Sequence, residues 1–174
     1  MPPGLAAQRE DRVMMTLRVL ARSLVAASLP AAALAAPGDI SVARGKQVSI
    51  VGGCHDCHTE GYNESAGVID PAKALKGTGI GWRGPWGTTY AANLRLTVKD
   101  KTEDQFLQYA KEFKTRPPMP WFNVHAMDDT DLRSLFQYIK SLGAPGDPAP
   151  EALPPGQEPK TPFTVVAPPT MPKM

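Results

Sequence analysis

The 174-residue sequence predicts an all-α domain of three main helices joined by irregular loops, followed by a proline-rich C-terminal tail. Three segments carry apolar residues at helical spacing between recognisable start and stop signals. The connection after the first of these three segments is rich in glycine. Residues 144–174 contain ten of the 19 prolines. We therefore divide the chain into a leader at residues 1–35, a domain at residues 36–143 and a tail at residues 144–174.

Residues 1–35 have the features of a secretory signal peptide. A region with four arginines ends at Arg22 and is followed by a short apolar run, and Ala33-Leu34-Ala35 has the small-x-small pattern of a cleavage site. The run is shorter than the ~20 apolar residues of a comfortable membrane span. A start at Met14 or Met15 would give the signal a more ordinary length. We expect export to the periplasm, with an uncleaved N-terminal anchor as the alternative.

The net charge of +2 comes from the leader, which contains four arginines and two acidic residues, Glu10 and Asp11. Residues 36–174 contain 15 lysines and arginines and 15 aspartates and glutamates, so this part of the chain is neutral. Binding to nucleic acid needs a basic surface that neutralises phosphates. The charge balance therefore argues against a nucleic-acid partner.

The first predicted helix covers residues 39–51. Asp39 is a suitable N-cap, and the pair Gly52-Gly53 is a suitable stop. A glycine inside a helix costs up to ~1 kcal/mol relative to alanine. We therefore expect Gly45 to lie where another backbone approaches closely, with a loose helix end as the alternative.

The next segment is Cys54-His55-Asp56-Cys57-His58. Two cysteines separated by two residues, with a histidine directly after the second, have the spacing of a c-type haem attachment site. The two thiols can add to the vinyl groups of one porphyrin edge, which leaves His58 placed to bind the iron. A carbonyl near Pro71 is the candidate partner for its other ring nitrogen. We expect one covalently bound haem c held by Cys54, Cys57 and His58.

Two other uses of these cysteines are open. A disulfide-forming dithiol would close only a tiny loop and would stabilise the fold little. A zinc site would need Cys54, Cys57, one of the adjacent histidines and the distant His125 as ligands. The sequence contains no second pair of closely spaced ligands, which such a zinc site usually has.

Residues 59–101 are rich in glycine, and we expect them to be irregular. Trp82, Trp86 and Tyr90 supply large side chains that can close over a flat cofactor. The propionates of a haem need hydrogen-bond donors or counter-charges when they are buried. Candidates for this role are Trp86, Tyr90, Asn93, and Arg83 or Arg95. Packing among surface loop residues is the alternative role for each of them.

Two further helices have clear end signals. Thr102-Glu103-Asp104-Gln105 has the pattern of a capping box, and the helix that it starts should end before Arg116-Pro117-Pro118. The last helix follows Asp128, and Gly143 is its expected C-cap. Its apolar stripe consists of Leu132, Leu135, Phe136, Ile139 and Leu142.

Between these two helices, Met119 lies in a proline-framed segment, residues 116–122. The prolines hold the backbone extended and stiff, so that the thioether is presented in a defined place. Sulfur opposite histidine is one of the standard axial pairs of haem iron, and it raises the reduction potential. We expect His58 and Met119 to bind the metal. The alternatives are Met127, which we expect to staple the last helix, and His125.

The tail favours an extended or disordered conformation because of its proline content. Its only apolar anchors lie at residues 154–156 and 162–166. We expect these anchors to strap the tail onto the domain. A linker to a partner protein is the alternative.

Together these segments resemble the class I c-type cytochromes, and most closely a bacterial periplasmic monohaem branch. The resemblance covers residues 39–143 and implies the cytochrome c fold, with His58 as the proximal and Met119 as the distal ligand. It also implies that the first and last helices cross near Gly45, with Leu135 and Tyr138 against the first helix. The shared features are Arg44-Gly45-Lys46, the Cys54-to-His58 motif, Gly84-Pro85-Trp86-Gly87, Tyr90-Ala91-Ala92-Asn93-Leu94, Pro117-Pro118-Met119-Pro120-Trp121 and Tyr138-Ile139-Lys140.

These expectations indicate an electron-transfer protein rather than an enzyme, because two protein ligands leave no iron position for a substrate. The carrier would take one electron from a dehydrogenase or a quinol-oxidising complex and pass it to an oxidase or another cytochrome. It would meet membranes only through such partners or through an uncleaved leader. Two alternatives are a haem enzyme or gas sensor with a labile distal ligand, and a cytochrome subunit permanently docked to a dehydrogenase.

Overall fold

The computed structural model describes residues 38–172, which contain six helices and three short strands. In chain order these are α1 (Val42–Val51), α2 (Cys54–His58), β1 (Gly81–Gly84), β2 (Gly87–Tyr90), α3 (Leu94–Lys99), α4 (Glu103–Glu112), α5 (Trp121–Ala126), α6 (Asp129–Ser141) and β3 (Phe163–Val165). The signal peptide predicted for residues 1–35 lies outside the described residues. In the described part of the chain, no helix combines the length and the apolar character needed to cross a membrane.

Helix α1 starts two residues later than predicted. Its N-cap is Ser41, whose hydroxyl accepts a hydrogen bond from the Arg44 N–H at 3.2 Å. Asp39 therefore does not cap the helix, although aspartate and serine are equally good caps by sequence. The helix ends at Gly52, as the paired glycines predict.

Gly45 lies at the crossing of α1 and α6, which pack against each other. A Cβ atom placed on Gly45 would overlap the Ser134 carbonyl and would lie 2.7 Å from the Tyr138 Cβ. Next to this crossing, Arg44 Nε donates to Asp131 Oδ1 at 2.6 Å. The close backbone approach expected for Gly45 is confirmed.

The predicted starts of α4 and α6 are confirmed, and α4 ends at Glu112, ahead of Arg116 as expected. Thr102 and Gln105 form both hydrogen bonds of the capping box at the start of α4. Asp128 caps α6 by accepting from the Asp131 N–H at 2.7 Å. The C-cap of α6 is Leu142, and Gly143 follows it in the left-handed region at φ 81°.

The core is formed where α4 and α6 meet α1 and the chain around α3. Aromatic rings contribute directly, since Phe106 and Phe136 lie 5.5 Å apart between centroids. At the surface of the same contact, Arg133 donates to Glu103 at 2.9 Å. The buried cluster consists of Val48, Leu75, Val98, Phe106, Ala110, Leu132, Leu135, Phe136, Tyr138 and Ile139.

A small sheet corrects the all-α prediction, which is only approximately right. Strands β1 and β2 form an antiparallel hairpin with Gly81 opposite Tyr90 and Gly84 opposite Gly87, and β3 lies parallel to β1 in the order β2-β1-β3. Residues 81–90 are therefore regular, contrary to the expectation for the glycine-rich segment. The strands have only three or four residues each, which is too short for an alternating pattern to stand out.

Besides the five-residue α2, two short helices also went unpredicted. Helix α3 is capped by Asn93, whose Oδ1 accepts from the backbone N–H groups of Arg95 and Leu96. Helix α5 begins directly after Pro120 and so follows the segment that carries Met119. Helices of six residues depend on tertiary contacts more than on their own propensity, so the sequence signals them weakly.

Candidate functional site

Helix α2 places three of the predicted site residues on one face. It follows Gly53, which adopts the left-handed conformation at φ 70°. Cys54, Cys57 and His58 are separated by three and four residues, the spacing of neighbours on a helix surface. All three line one cavity of about 380 Å³. This volume is within the range of about 300–1,000 Å³ that is typical of cofactor and ligand sites.

The walls of this cavity are mainly apolar. Helices α4 and α6 contribute Phe106, Leu135 and Ile139, and the hairpin contributes Trp82 and Tyr90. The fourth predicted residue, Met119, lines the same cavity. The fold therefore brings together the four residues that the sequence singled out.

His58 is held in a fixed orientation and is only 7% exposed. Its Nδ1 lies 2.7 Å from the Ala92 carbonyl oxygen. Because a carbonyl can only accept, Nδ1 carries the proton in the neutral ring, and Nε2 keeps a lone pair. Burial lowers the pKa of His58, while the hydrogen bond to Ala92 acts in the opposite direction. The imidazole is therefore neutral and is suited to bind a metal through Nε2.

The predicted partner of His58 is wrong. We expected a carbonyl near Pro71, but the Pro71 oxygen accepts a hydrogen bond from Arg95 Nη2 at 2.6 Å. Arg95 is buried and also donates to the carbonyls of Ala74 and Leu142. A buried guanidinium needs hydrogen-bond acceptors, and the carbonyls of this loop fill that role for Arg95 rather than for His58.

The two cysteines are neutral thiols in this environment. Burial raises the pKa of Cys54 to about 11. Burial, followed by the nearby charge of Asp56, also raises the pKa of Cys57. Reactive dithiols and zinc ligands need the thiolate form at neutral pH. The site therefore disfavours the redox-dithiol alternative and is compatible with thiols that are consumed in forming thioethers.

The zinc alternative is also contradicted. Within residues 38–172, no group of three or more His, Cys, Asp or Glu side chains is placed to hold a metal ion. His125, the proposed distant ligand, directs Nε2 to the Phe113 carbonyl oxygen at 2.8 Å and does not line the cavity. The same placement disfavours His125 as an axial ligand of a haem.

Two methionines line the cavity. Met127 packs against the core just before α6 and lies close to Gly52 at the end of α1. Met119 lies in a loop that is fixed on the sheet, because the Thr89 hydroxyl donates to the Pro117 carbonyl at 2.7 Å. Both thioethers are therefore available, and the bracing of the loop favours Met119.

Most of the predicted propionate partners are engaged elsewhere. Asn93 Nδ2 donates to the carbonyls of Pro145 and Asp147, and Arg83 pairs with Glu158 through two hydrogen bonds of 2.6 Å. Together with Arg95, they do not line the cavity. The expectation that these three residues bind the cofactor is wrong, because local carbonyl and carboxylate oxygens take up their donors.

Of the remaining two predicted partners, Tyr90 lines the cavity and Trp86 does not. Tyr90 lines the cavity, and its hydroxyl lies 2.8 Å from Thr161 Oγ1. Trp86 Nε1 is buried and has no hydrogen-bond partner within residues 38–172. A buried N–H without an acceptor is unfavourable, but Trp86 does not line the cavity, so the structure does not place this donor against a bound cofactor.

Sequence reasoning missed two cations and one histidine at the site. Lys114 and Arg116 line the cavity, but only the path of the loop after α4 brings them there. His55 is fully buried behind the motif, and burial lowers its pKa to about 4. A histidine inside the attachment motif carries no sequence signal that separates a buried network from an exposed spacer.

The protonation state of His55 follows from its neighbours. Ser49 Oγ donates to the Lys46 carbonyl at 2.7 Å, so it accepts from His55 Nε2 at 3.1 Å. Nδ1 then accepts from the Thr59 hydroxyl at 2.7 Å, and the same oxygen accepts from the Leu75 N–H at 2.9 Å. This network joins α1, α2 and the following loop, and it fixes the helix that carries His58.

One comparison with known proteins identifies a relationship. The family model named Cytochrome c matches residues 42–143, which is more than half of the 174-residue chain. The matched segment begins at the first residue of α1 and ends at the glycine after α6. No curated protein and no solved structure gives a significant match.

Proposed function

Because the chain belongs to the cytochrome c family, whose members carry covalently bound haem c, we propose that it is a one-electron carrier with a single haem c. Cys54 and Cys57 would hold the porphyrin through thioether bonds, and His58 and Met119 would bind the iron. One observation carries this proposal. All four side chains line the same mainly apolar cavity, at the end of a chain path that separates Met119 from the motif by two strands and two helices.

The residues present fit this cofactor. The cavity offers apolar walls for a porphyrin, two neutral thiols on one helical face, and an imidazole whose Nε2 is unprotonated.

The residues of the chain would tune the cofactor in distinct ways. When bound, the haem supplies a one-electron redox couple. The Ala92 carbonyl fixes the His58 ring and increases its basicity as a ligand. As the second ligand, the thioether of Met119 would raise the reduction potential. If His58 and Met119 both bind the iron, no iron position would be left for a substrate, and electron transfer would be favoured over catalysis.

We place the protein in the periplasm on the strength of the leader in its sequence. Its donor would be a dehydrogenase or a quinol-oxidising complex, and its acceptor an oxidase or another cytochrome. A permanently docked subunit is less well supported, because the tail that would serve as its tether already pairs with the sheet of its own domain. An enzyme or gas sensor would require Met119 to leave the iron.

The test compares Met119→Ala with the matched variant Met127→Ala in the exported protein. Met119→Ala should retain covalent haem and lose the weak far-red band of sulfur bound to ferric iron. Its reduction potential should fall by on the order of 0.1 V, and its reduced form should bind carbon monoxide. Met127→Ala should retain the band and exclude carbon monoxide. The reverse result would assign the iron to Met127, and carbon monoxide binding by the unaltered protein would support the enzyme or sensor.

A further inference from the structure

The C-terminal tail contacts both edges of the hairpin. On the outer edge of β2, Leu153 exchanges two backbone hydrogen bonds with Thr88, at 3.0 and 2.8 Å. On the outer edge of β1, strand β3 is flanked by bonds from the Gly81 N–H to the Pro162 carbonyl and from the Val166 N–H to the Arg83 carbonyl. We call residues 153–166 the strap. The strap encloses the hairpin from both sides.

The seat of the strap on β2 depends on a glycine. Gly87 has φ 97°, a conformation that disfavours other residues. A Cβ atom at this position would overlap the Leu153 carbonyl and would lie 2.7 Å from the Pro154 carbonyl carbon. The strap therefore rests directly on the backbone of the hairpin, and no side chain separates them.

Side chains add to these backbone contacts. The Arg83 guanidinium pairs with Glu158 and lies 5.4 Å from the centre of the Phe163 ring. The Tyr90 hydroxyl, on the cavity side of the hairpin, bonds to Thr161. Each strand of the hairpin thus has at least one side-chain bond to the strap.

Arg116 connects the strap to the loop that carries Met119. A single atom, Nη1, donates to the Trp86 carbonyl at 3.0 Å and to the Leu153 carbonyl at 3.1 Å. The second tie of this loop is the bond from Thr89 to Pro117. Both ties end on the hairpin or the strap, so the position of the loop depends on the sheet that the strap completes.

We propose that the strap and Arg116 act together as a positioning device that keeps the Met119 thioether at the cavity. The proposal rests on the proposed function for its spectroscopic test, because it treats Met119 as the iron ligand. Without the strap, the hairpin loses partners on both edges and Arg116 loses one of its two acceptors. The loop then samples positions away from the cavity, and an external ligand competes more easily for the iron.

The main experiment uses the full-length holoprotein with Leu153→Pro and Val166→Pro together. Each proline removes a backbone N–H that bonds the strap to the hairpin. The matched control is Ala152→Pro with Ala167→Pro, at neighbouring positions whose N–H groups make no hydrogen bond in residues 38–172. Two quantities are measured: the affinity of the ferric protein for imidazole, and the rate of tryptic cleavage after Lys114, mapped by mass spectrometry.

We expect the Leu153/Val166 variant to bind imidazole roughly tenfold more tightly than the control, the size expected for the loss of one or two hydrogen bonds. Cleavage after Lys114, at the base of the loop, should accelerate by a similar factor. Equal cleavage rates in the two variants would overturn the proposal. If the unaltered protein lacks the far-red sulfur band while the cleavage rates still differ, the strap stands and the assignment of Met119 fails.

Arg116 provides a second test that does not depend on the folding of the proline variants. Arg116→Ala removes both bonds to the carbonyls and should raise imidazole affinity and the cleavage rate. Arg116→Lys keeps a cationic donor that can reach both oxygens and should restore most of the difference. If the alanine and lysine variants behave alike, or if neither differs from the unaltered protein, Arg116 does not position the loop.

Discussion

The helical part of the protein and its sheet are stabilised in different ways. Helices α1, α4 and α6 have local caps and pack through a continuous buried cluster. The sheet consists of short strands, and the hairpin of β1 and β2 depends on pairing with the C-terminal tail, which contains β3. His58 belongs to the first part, and the loop of Met119 is tied to the second. The two proposed axial ligands therefore rest on supports of unequal strength.

This difference is relevant to the proposed chemistry. Covalent attachment and the buried His58 would keep the cofactor on the helical part under most conditions. The thioether of Met119 depends on a few hydrogen bonds, each of which stabilises a contact by only about 0.5–1.5 kcal/mol. Changes in the sheet should therefore alter ligand exchange and reduction potential before they alter attachment.

The largest effect is expected from Gly45→Val, which tests the helical part. The new side chain would overlap the backbone of α6 at Ser134, so the helices would have to separate. We expect the free energy of unfolding to fall by about 3 kcal/mol or more. Urea denaturation measures this loss. Gln47→Val, at an exposed position of the same helix, should change the stability by less than about 1 kcal/mol; equal losses would mean that the crossing is not tightly packed.

A smaller effect is expected from acid, through His55. Its pKa is about 4 in the folded protein and 6.5 ordinarily, because burial disfavours the charged ring. Between these values the unfolded chain binds a proton that the folded protein does not. The free energy of unfolding should therefore fall by about 2 kcal/mol as the pH decreases from 6.5 to 4, with no further loss from this group below that range.

Urea denaturation at pH 7 and at pH 4.5 checks this dependence. His55→Gln should reduce the difference between the two pH values, whereas His125→Gln should retain it. An unchanged difference in His55→Gln would show that other groups, such as carboxylates, cause the acid sensitivity.

The smallest effect is expected from Glu158→Gln, which tests the sheet. Its carboxylate pairs with Arg83, but the Glu158 side chain is 68% exposed. Exposed ion pairs contribute about 0–1 kcal/mol. We expect a loss below about 0.5 kcal/mol in thermal denaturation, with an even smaller difference at high salt. A loss above about 1 kcal/mol would mean that the ion pair, rather than the backbone pairing, holds the strap.

The sequence predicted the helical part far better than the sheet, for physical reasons. Capping boxes and apolar stripes are local patterns. The sequence therefore predicts the starts of α4 and α6 from Thr102, Gln105 and Asp128. The parallel pairing of β1 with β3 joins residues about eighty positions apart, and no local pattern encodes it. The one available signal was the two-residue connection Pro85-Trp86 between short runs rich in Thr, Tyr and Trp.

The candidate site shows the same division. The residues with distinctive chemistry, Cys54, Cys57, His58 and Met119, could be named from their spacing and their proline frame, and the fold places them at one cavity. Their supporting contacts could not be named. Ala92 acts through a backbone carbonyl, which any residue would supply at that position. Arg95 donates hydrogen bonds to backbone carbonyls from separate parts of the chain. Which carbonyls lie within reach of it depends on the folded structure and is not encoded locally.

Strand β3 follows every other helix and strand of the domain in the sequence. In a chain that is made from its N-terminus, the segments of α2 and of the core helices therefore precede residues 153–166, and the hairpin has neither edge partner until those residues follow. If the cofactor is attached before residues 153–166 have paired, the sheet that braces the Met119 loop is completed only after attachment.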